Sequence, residues 1–114
     1  HGCRARSVCH TLNAVRCHSN RVPCTTTPLD LRAGPSGIRA NAVAPGVTLT
    51  KMGRELWDSE AMAERKAARL ASIPLGRFAE PSEIASIALF LASDASAYVN
   101  GQCIQADGGW NIAP

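Results

Sequence analysis

No stretch of this chain is apolar over anything near the roughly 18 residues that a membrane-spanning helix requires, so a membrane protein is not expected. Aromatic residues are scarce at 4%, and none falls in the first 33 positions. Lysine is missing there too, although Arg4, Arg6, Arg16, Arg21 and Arg32 stand against the single acid Asp30. That segment therefore carries +4 of the overall +3, leaving −1 on the rest. A basic arm without aromatic residues to stack on bases, and without helical spacing of its arginines, makes a poor nucleic-acid binder. Closely spaced cysteine pairs are also absent. Cys3, Cys9, Cys17 and Cys24 follow one another at intervals of six, eight and seven positions, with His10 and His18 among them. Structural zinc sites pair ligands two to four residues apart, so neither a zinc site nor a disulfide framework is favoured over incidental cysteines. The opening His1-Gly2-Cys3-Arg4 lacks both an initiating methionine and the apolar core of a secretory signal. A fragment or a processed chain is expected.

What remains is globular in composition: 46% hydrophobic and 18% charged residues over a length that holds one core at most. The character of the chain changes near residue 33. Before it, neither a 3.6 nor a 2.0 hydrophobic period can be traced, and residues 1–33 are expected to carry little regular structure. After it, Gly34-Pro35-Ser36-Gly37 marks a turn. A strand is expected from Ile38, because Ile38, Ala40 and Ala42 share one face and the small neighbours suit a strand packed between helices. Ala44-Pro45-Gly46 ends it, since proline cannot donate to a ladder.

From Asp58 or Ser59 to about Ala71 the composition favours a helix that is largely solvent-facing. Ile73-Pro74-Leu75-Gly76 breaks it. A second helix starts at Pro81, with Glu83 near the positive end of its dipole, and Ile84, Ile87, Ala88 and Leu91 form a core-facing stripe. Gln102-Cys103-Ile104-Gln105-Ala106 reads as a short strand in which Cys103 is a small buried hydrophobe. The order strand, helix, helix, strand is an α/β half-unit.

Three stretches in register carry a resemblance over about 80 residues: Gly37-Ile38-Arg39-Ala40-Asn41-Ala42-Val43-Ala44-Pro45-Gly46, then Ile73-Pro74-Leu75-Gly76-Arg77-Phe78-Ala79-Glu80-Pro81-Ser82-Glu83-Ile84-Ala85, then Leu89 to Gln102 with Asp107-Gly108-Gly109. Residues 34–114 resemble the C-terminal third of the short-chain dehydrogenase/reductase family. The resemblance implies an incomplete portion of a Rossmann-type, doubly wound parallel sheet. It also implies an NAD(P)-dependent oxidoreductase that interconverts a secondary alcohol, of the polyol or sugar kind, and a ketone. In an open parallel sheet ligands sit beyond the carboxyl ends of the strands. By resemblance Pro45, Gly46, the backbone of Thr48, and Thr50 line the nicotinamide side of the cofactor; read without the motif, the two threonines are loop hydroxyls making local turn bonds. Lys51 to Ala71 resembles the substrate-covering loop and helix pair, with Met52, Leu56 and Trp57 facing substrate, or Trp57 serving a surface or interface contact instead. The C-terminal helix and strand resemble the elements through which the family forms dimers and tetramers, and the implied location is the cytoplasm.

The family's proton-transfer set, a serine with a tyrosine and a lysine four positions later, is missing. Tyr98 is the one tyrosine, and Gln102 stands four positions on. Counted back from Ile38, the pair would fall near Val15 and Ser19. The glycine-rich turn that grips the diphosphate is also absent. No catalytic residue and no metal ligand is therefore assigned, the chain alone is not expected to bind NAD or NADP, and the choice between the two is not legible. Residues 1–33 read as a frame-shifted relic of the catalytic helix in preference to an unrelated leader. The alternative function is a non-catalytic interaction module, or pseudogene product, that docks on full-length relatives.

Overall fold

The computed structural model describes residues 32–112, and the cysteine- and arginine-rich stretch discussed above lies almost wholly outside them. The described elements run β1 (Ala42–Pro45), α1 (Lys51–Trp57), α2 (Ala63–Ala71), α3 (Pro81–Ala92) and β2 (Cys103–Ala106), with single 3₁₀ turns at Gly34–Ser36, Glu60–Met62, Asp94–Ser96 and Trp110–Ile112. β1 and β2 pair in parallel, from Ala42 against Cys103 to Pro45 against Ala106. A parallel pair needs a long crossover, which the three helices supply. The result is α/β with a sheet of two strands among the described residues, an incomplete portion of a Rossmann-like domain.

The first strand starts four residues later than its alternation predicts. At Ala40 the ladder is replaced by the loop after α3: the Ala40 N–H donates to Asn100 Oδ1 at 2.8 Å, and the Ala40 carbonyl accepts from the Gly101 N–H at 2.9 Å. Asn41, 3% exposed, continues this attachment. Its Nδ2 donates to the Val99 carbonyl at 3.0 Å, and its Oδ1 accepts from the Gln102 N–H at 3.0 Å. The buried amide thus satisfies itself while fixing where β2 begins.

Between the strands, composition alone predicts one helix beginning at Asp58 or Ser59, whereas the chain forms two, as the resemblance implies. Thr50 caps α1 by accepting from the Gly53 N–H at 3.1 Å. Asp58 is the C-cap of α1, and Ser59 precedes the 3₁₀ turn. Lys66 of α2 reaches back to Asp58 at 2.6 Å and so bridges the break. That contact holds the Asp58 carboxyl below the usual aspartate range, chiefly through its hydrogen bond from Lys66.

α3 spans the predicted residues, with Pro81 in its first turn. Its last carbonyls have no helical partner, and Arg39 supplies one, donating to the Leu91 carbonyl at 2.8 Å and to the Val99 carbonyl at 3.1 Å. A cation at this end also suits the helix dipole. Ala40, Ala42, Val43, Ile73, Phe78 and Leu91 make up the buried core. Of the expected stripe only Leu91 is buried; Ile84, Ile87 and Ala88 are half-exposed, because a two-stranded sheet is too narrow to cover the whole face of the helix. Cys103 is likewise half-exposed.

Candidate functional site

The two strands end side by side, and their carboxyl ends are held unusually close. A Cβ at Gly46 would lie 2.8 Å from Asp107 Cα, so only glycine permits this convergence. The Gly46 N–H donates to the Ala106 carbonyl at 2.9 Å. Asp107 then folds the next turn over its own carboxylate, which accepts from the N–H groups of Gly109 and Asn111, both at 3.0 Å. Gly108 has φ +66°, and a Cβ there would meet Ile73 Cγ2 at 2.7 Å. The Asp107-Gly108-Gly109 turn is therefore the seat on which the Ile73–Leu75 loop rests, and the Leu75 N–H donates to the Gly108 carbonyl at 3.2 Å.

From this junction the loop 45–50 leaves the sheet. It is pinned to residue 79 on two sides: the Ala79 N–H donates to the Val47 carbonyl at 2.9 Å, and the Leu49 N–H donates to the Ala79 carbonyl at 2.8 Å. Pro45 and Thr50 are exposed, while Gly46 and Thr48 are half-buried. Thr48 Oγ1 donates to the Gly46 carbonyl at 3.2 Å, which uses its proton and leaves its lone pairs free. Thr50 is complementary, since its oxygen accepts from Gly53 and its own hydroxyl proton remains available. One half-turn of chain thus presents an acceptor and a donor two residues apart. All four residues assigned from the resemblance lie together on it.

The three residues expected to face substrate divide. Met52 and Leu56, 79% and 52% exposed, project from α1. Trp57 is half-buried and packs on the core residue Phe78, with ring centroids 5.1 Å apart and a 49° tilt. The tryptophan anchors α1 to the segment before α3. Three further contacts do similar work and have no counterpart in the sequence reading. Arg54 of α1 pairs with Glu80, the N-cap of α3. Arg69 of α2 lies 4.5 Å above the Trp110 ring. Arg77 meets Glu83 with two parallel bonds of 2.8 and 2.7 Å. The hydrogen bonds from Arg77 come first, and that from the Glu80 N–H second, in pulling the Glu83 carboxyl down to about 2. Glu83 in turn raises Arg77. The six-residue spacing of Arg77 and Glu83 across Pro81 was the only signal of this pair in the sequence.

Beneath the loop, a cavity of about 180 Å³ is lined by Val47, Ile73, Leu75, Ile84, Ile87 and Ala106 among others. It is mostly apolar; of its charged residues, Arg77 and Glu83 pair with each other and the Asp107 carboxylate accepts from the Gly109 and Asn111 N–H groups.

A dinucleotide needs hydrogen-bond partners for its nicotinamide carboxamide and for its diphosphate. The Thr48 and Thr50 pair suits a carboxamide, which both accepts and donates hydrogen bonds. The N-terminus of α3 does not suit a phosphate, because Pro81 lacks an N–H and Glu80 and Glu83 bring negative charge to it.

A parallel strand pair joined by helices, with a polar loop at the carboxyl end of one strand leading into α1, is a portion of an open, Rossmann-like α/β domain. The family model described as Enoyl-(Acyl carrier protein) reductase matches residues 22–111. D-threitol dehydrogenase of Mycolicibacterium smegmatis is 47% identical over 79 residues, covering 69% of this chain and 29% of that protein. The 3-oxoacyl-[acyl-carrier-protein] reductase FabG of Thermotoga maritima is 50% identical over 72 residues, 63% of this chain and 27% of that one. A crystal structure from Agrobacterium tumefaciens with bound NADP superposes with a TM-score of 0.66 at 36% identity, over 76% of this chain and 34% of that chain. This chain belongs to the short-chain dehydrogenase/reductase family. It spans about 30% of the length of the curated relatives it matches.

Proposed function

We propose that this chain forms the nicotinamide-side loop, the substrate lid and the oligomer contacts of an NAD(P)-dependent oxidoreductase that interconverts a secondary alcohol and a ketone. The observation that carries the reading is the Pro45–Thr50 loop, which leaves the carboxyl end of β1 and runs directly into α1 with one free hydroxyl donor and one free acceptor. The bound dinucleotide supplies the hydride acceptor or donor. Thr50 would donate to its carboxamide or diphosphate oxygen, Thr48 would accept from the carboxamide, and Met52 and Leu56 would shield the alcohol from water. The proton is moved by residues of the parent that precede the matched segment, since the one tyrosine here, Tyr98, is fully exposed with Gln102 four positions on.

A polyol or sugar alcohol as substrate is supported by the likeness to D-threitol dehydrogenase and by the Leu49-Thr50-Lys51-Met52-Gly53 lead into the lid. Oligomer contacts are supported by Leu89 and Phe90, which α3 leaves exposed, and by Tyr98 beyond it. The same exposure favours the second reading, a non-catalytic module docking on full-length relatives. No described helix is long and apolar enough to cross a membrane, and the parent is read as cytoplasmic.

The test is a chimera of the M. smegmatis D-threitol dehydrogenase in which the matched C-terminal stretch is replaced by residues 34–114 of this chain. It is expected to bind the dinucleotide and oxidise polyols, read from nicotinamide absorbance. A folded chimera that binds no dinucleotide overturns the proposal.

A further inference from the structure

The chain from Lys51 to Ala71 is tied at both ends and loose between them. Before it, the Leu49 N–H donates to the Ala79 carbonyl at 2.8 Å. After it, Ile73 is buried and sits against the turn at Gly108. Not one residue from 51 to 71 is buried. α1 and α2 have only seven and nine residues. Isolated helices shorter than about 12–15 residues are marginal in water, so these two persist through what they touch.

What they touch, among the described residues, is polar or aromatic rather than a packed apolar core. From α1, Arg54 pairs with Glu80 and Trp57 packs on Phe78. From α2, Arg69 lies 4.5 Å above the Trp110 ring. Lys66 meets Asp58 at 2.6 Å and joins α2 to the end of α1, so the two helices are linked to each other as well as to the domain. The Arg54 and Glu80 side chains are 49% and 45% exposed, within reach of dissolved ions. An exposed ion pair or an exposed cation–π contact shifts an equilibrium by only about two- to fivefold. Fastenings of that size hold a segment in place without locking it there.

Resting on the functional reading above, we propose that α1 and α2 open and close beside the Pro45–Thr50 loop as one lid, and that Arg54 and Arg69 are the positioning residues that set how long it stays shut. The lid turns about Thr50 and Ser72, which lie between the tied points and the helices. Met52 and Leu56 ride on α1, so releasing Arg54 withdraws them from the alcohol. Salt screens the Arg54–Glu80 pair and favours the open lid.

The test places the changes on the domain rather than on the helices, so that helix propensity is untouched. In the full 114-residue chain, Glu80→Gln removes the charge facing Arg54, and Trp110→Leu removes the ring under Arg69. Each is expected to speed amide hydrogen exchange about two- to fivefold in both α1 and α2, and to leave α3 unchanged. Going from about 0.01 M to about 1 M salt, over which the screening length falls from roughly 30 to 3 Å, should do the same to the unaltered chain and nothing further to Glu80→Gln. In the D-threitol dehydrogenase chimera, Glu80→Gln should raise the KM for polyol by a similar factor without lowering kcat, whereas mere loss of folded enzyme lowers kcat and leaves KM alone. Unchanged exchange in both helices overturns the latch. Acceleration confined to α1 in Glu80→Gln overturns the single lid, and acceleration shared by α3 makes Glu80 a prop of the whole domain and overturns it too. A chimera that binds dinucleotide but keeps its polyol KM in Glu80→Gln overturns the lid and leaves the functional reading intact. A folded chimera that binds no dinucleotide removes the functional reading, and with it the lid's task, whatever the exchange shows.

Discussion

Asn41→Ala offers a measurable consequence of how β1 and β2 are held in register. The side chain is 3% exposed and makes two hydrogen bonds, both to the backbone of the loop entering β2. Their losses are unequal. The Val99 carbonyl keeps a second partner, Arg39 Nη1 at 3.1 Å, so it is not abandoned. The Gln102 N–H has no second partner among the described residues, but it is part-buried and water can reach it. Its loss therefore falls at the low end of the roughly 1–3 kcal/mol of a buried unpaired donor, beside about 1 kcal/mol for the bond whose acceptor stays satisfied. A destabilisation of about 2 kcal/mol is expected, measured by urea unfolding of the chimeric domain. Asn41→Asp should be worse at neutral pH, because its second oxygen would face the Val99 carbonyl. A loss below about 0.5 kcal/mol for the alanine variant would refute the account of Asn41 as the clamp.

Gly46→Ala is expected to force the strand ends apart, since its Cβ would meet the Asp107 backbone at 2.8 Å; overpacking of this kind costs about 1–3 kcal/mol, and thermal unfolding of the chimera checks it. Glu83 should titrate near 2 in a carbon-13 NMR experiment and rise in Arg77→Leu, while staying below the ordinary glutamate range because the Glu80 N–H still donates to it. Its folded pKa is depressed, so the stability it lends is present above the unfolded pKa and is lost as pH falls through about 2. Thr50→Val removes the cap of α1 at a cost of about 1 kcal/mol. In the chimera it should raise the KM for dinucleotide while Thr50→Ser restores it, and a KM unchanged by valine would argue that Thr50 only caps the helix.

How much of this was legible in the sequence depended on whether the signal was local. α3 could be read to the residue because proline at its first turn, an acid at its third position and an apolar stripe all report the same element. The loop at Pro45-Gly46 was legible for a similar reason, as proline and glycine act on their own backbone. The break between α1 and α2 was not, because the Ala-, Glu- and Arg-rich run from Glu60 hides a boundary set by the Thr50 cap and by Lys66 reaching Asp58. Long-range partners were beyond reach. Arg39 lies 52 residues from the helix end that it caps, and Arg69 and Trp110 meet only once the fold is formed. For Trp57 the sequence offered a substrate-facing or a surface and interface role, and its packing on the buried Phe78 was not legible because the two rings meet only in the fold.

The claim that residues 45–50 form the nicotinamide side of a dinucleotide site is tested most directly by nitrogen-15 NMR of the chimera during titration with oxidised dinucleotide. The amide signals of Thr48 and Thr50 are expected to shift in proportion to cofactor bound, while that of Ser93, at the far end of α3, stays in place. Saturation of the dinucleotide site with Thr48 and Thr50 unmoved would contradict the account.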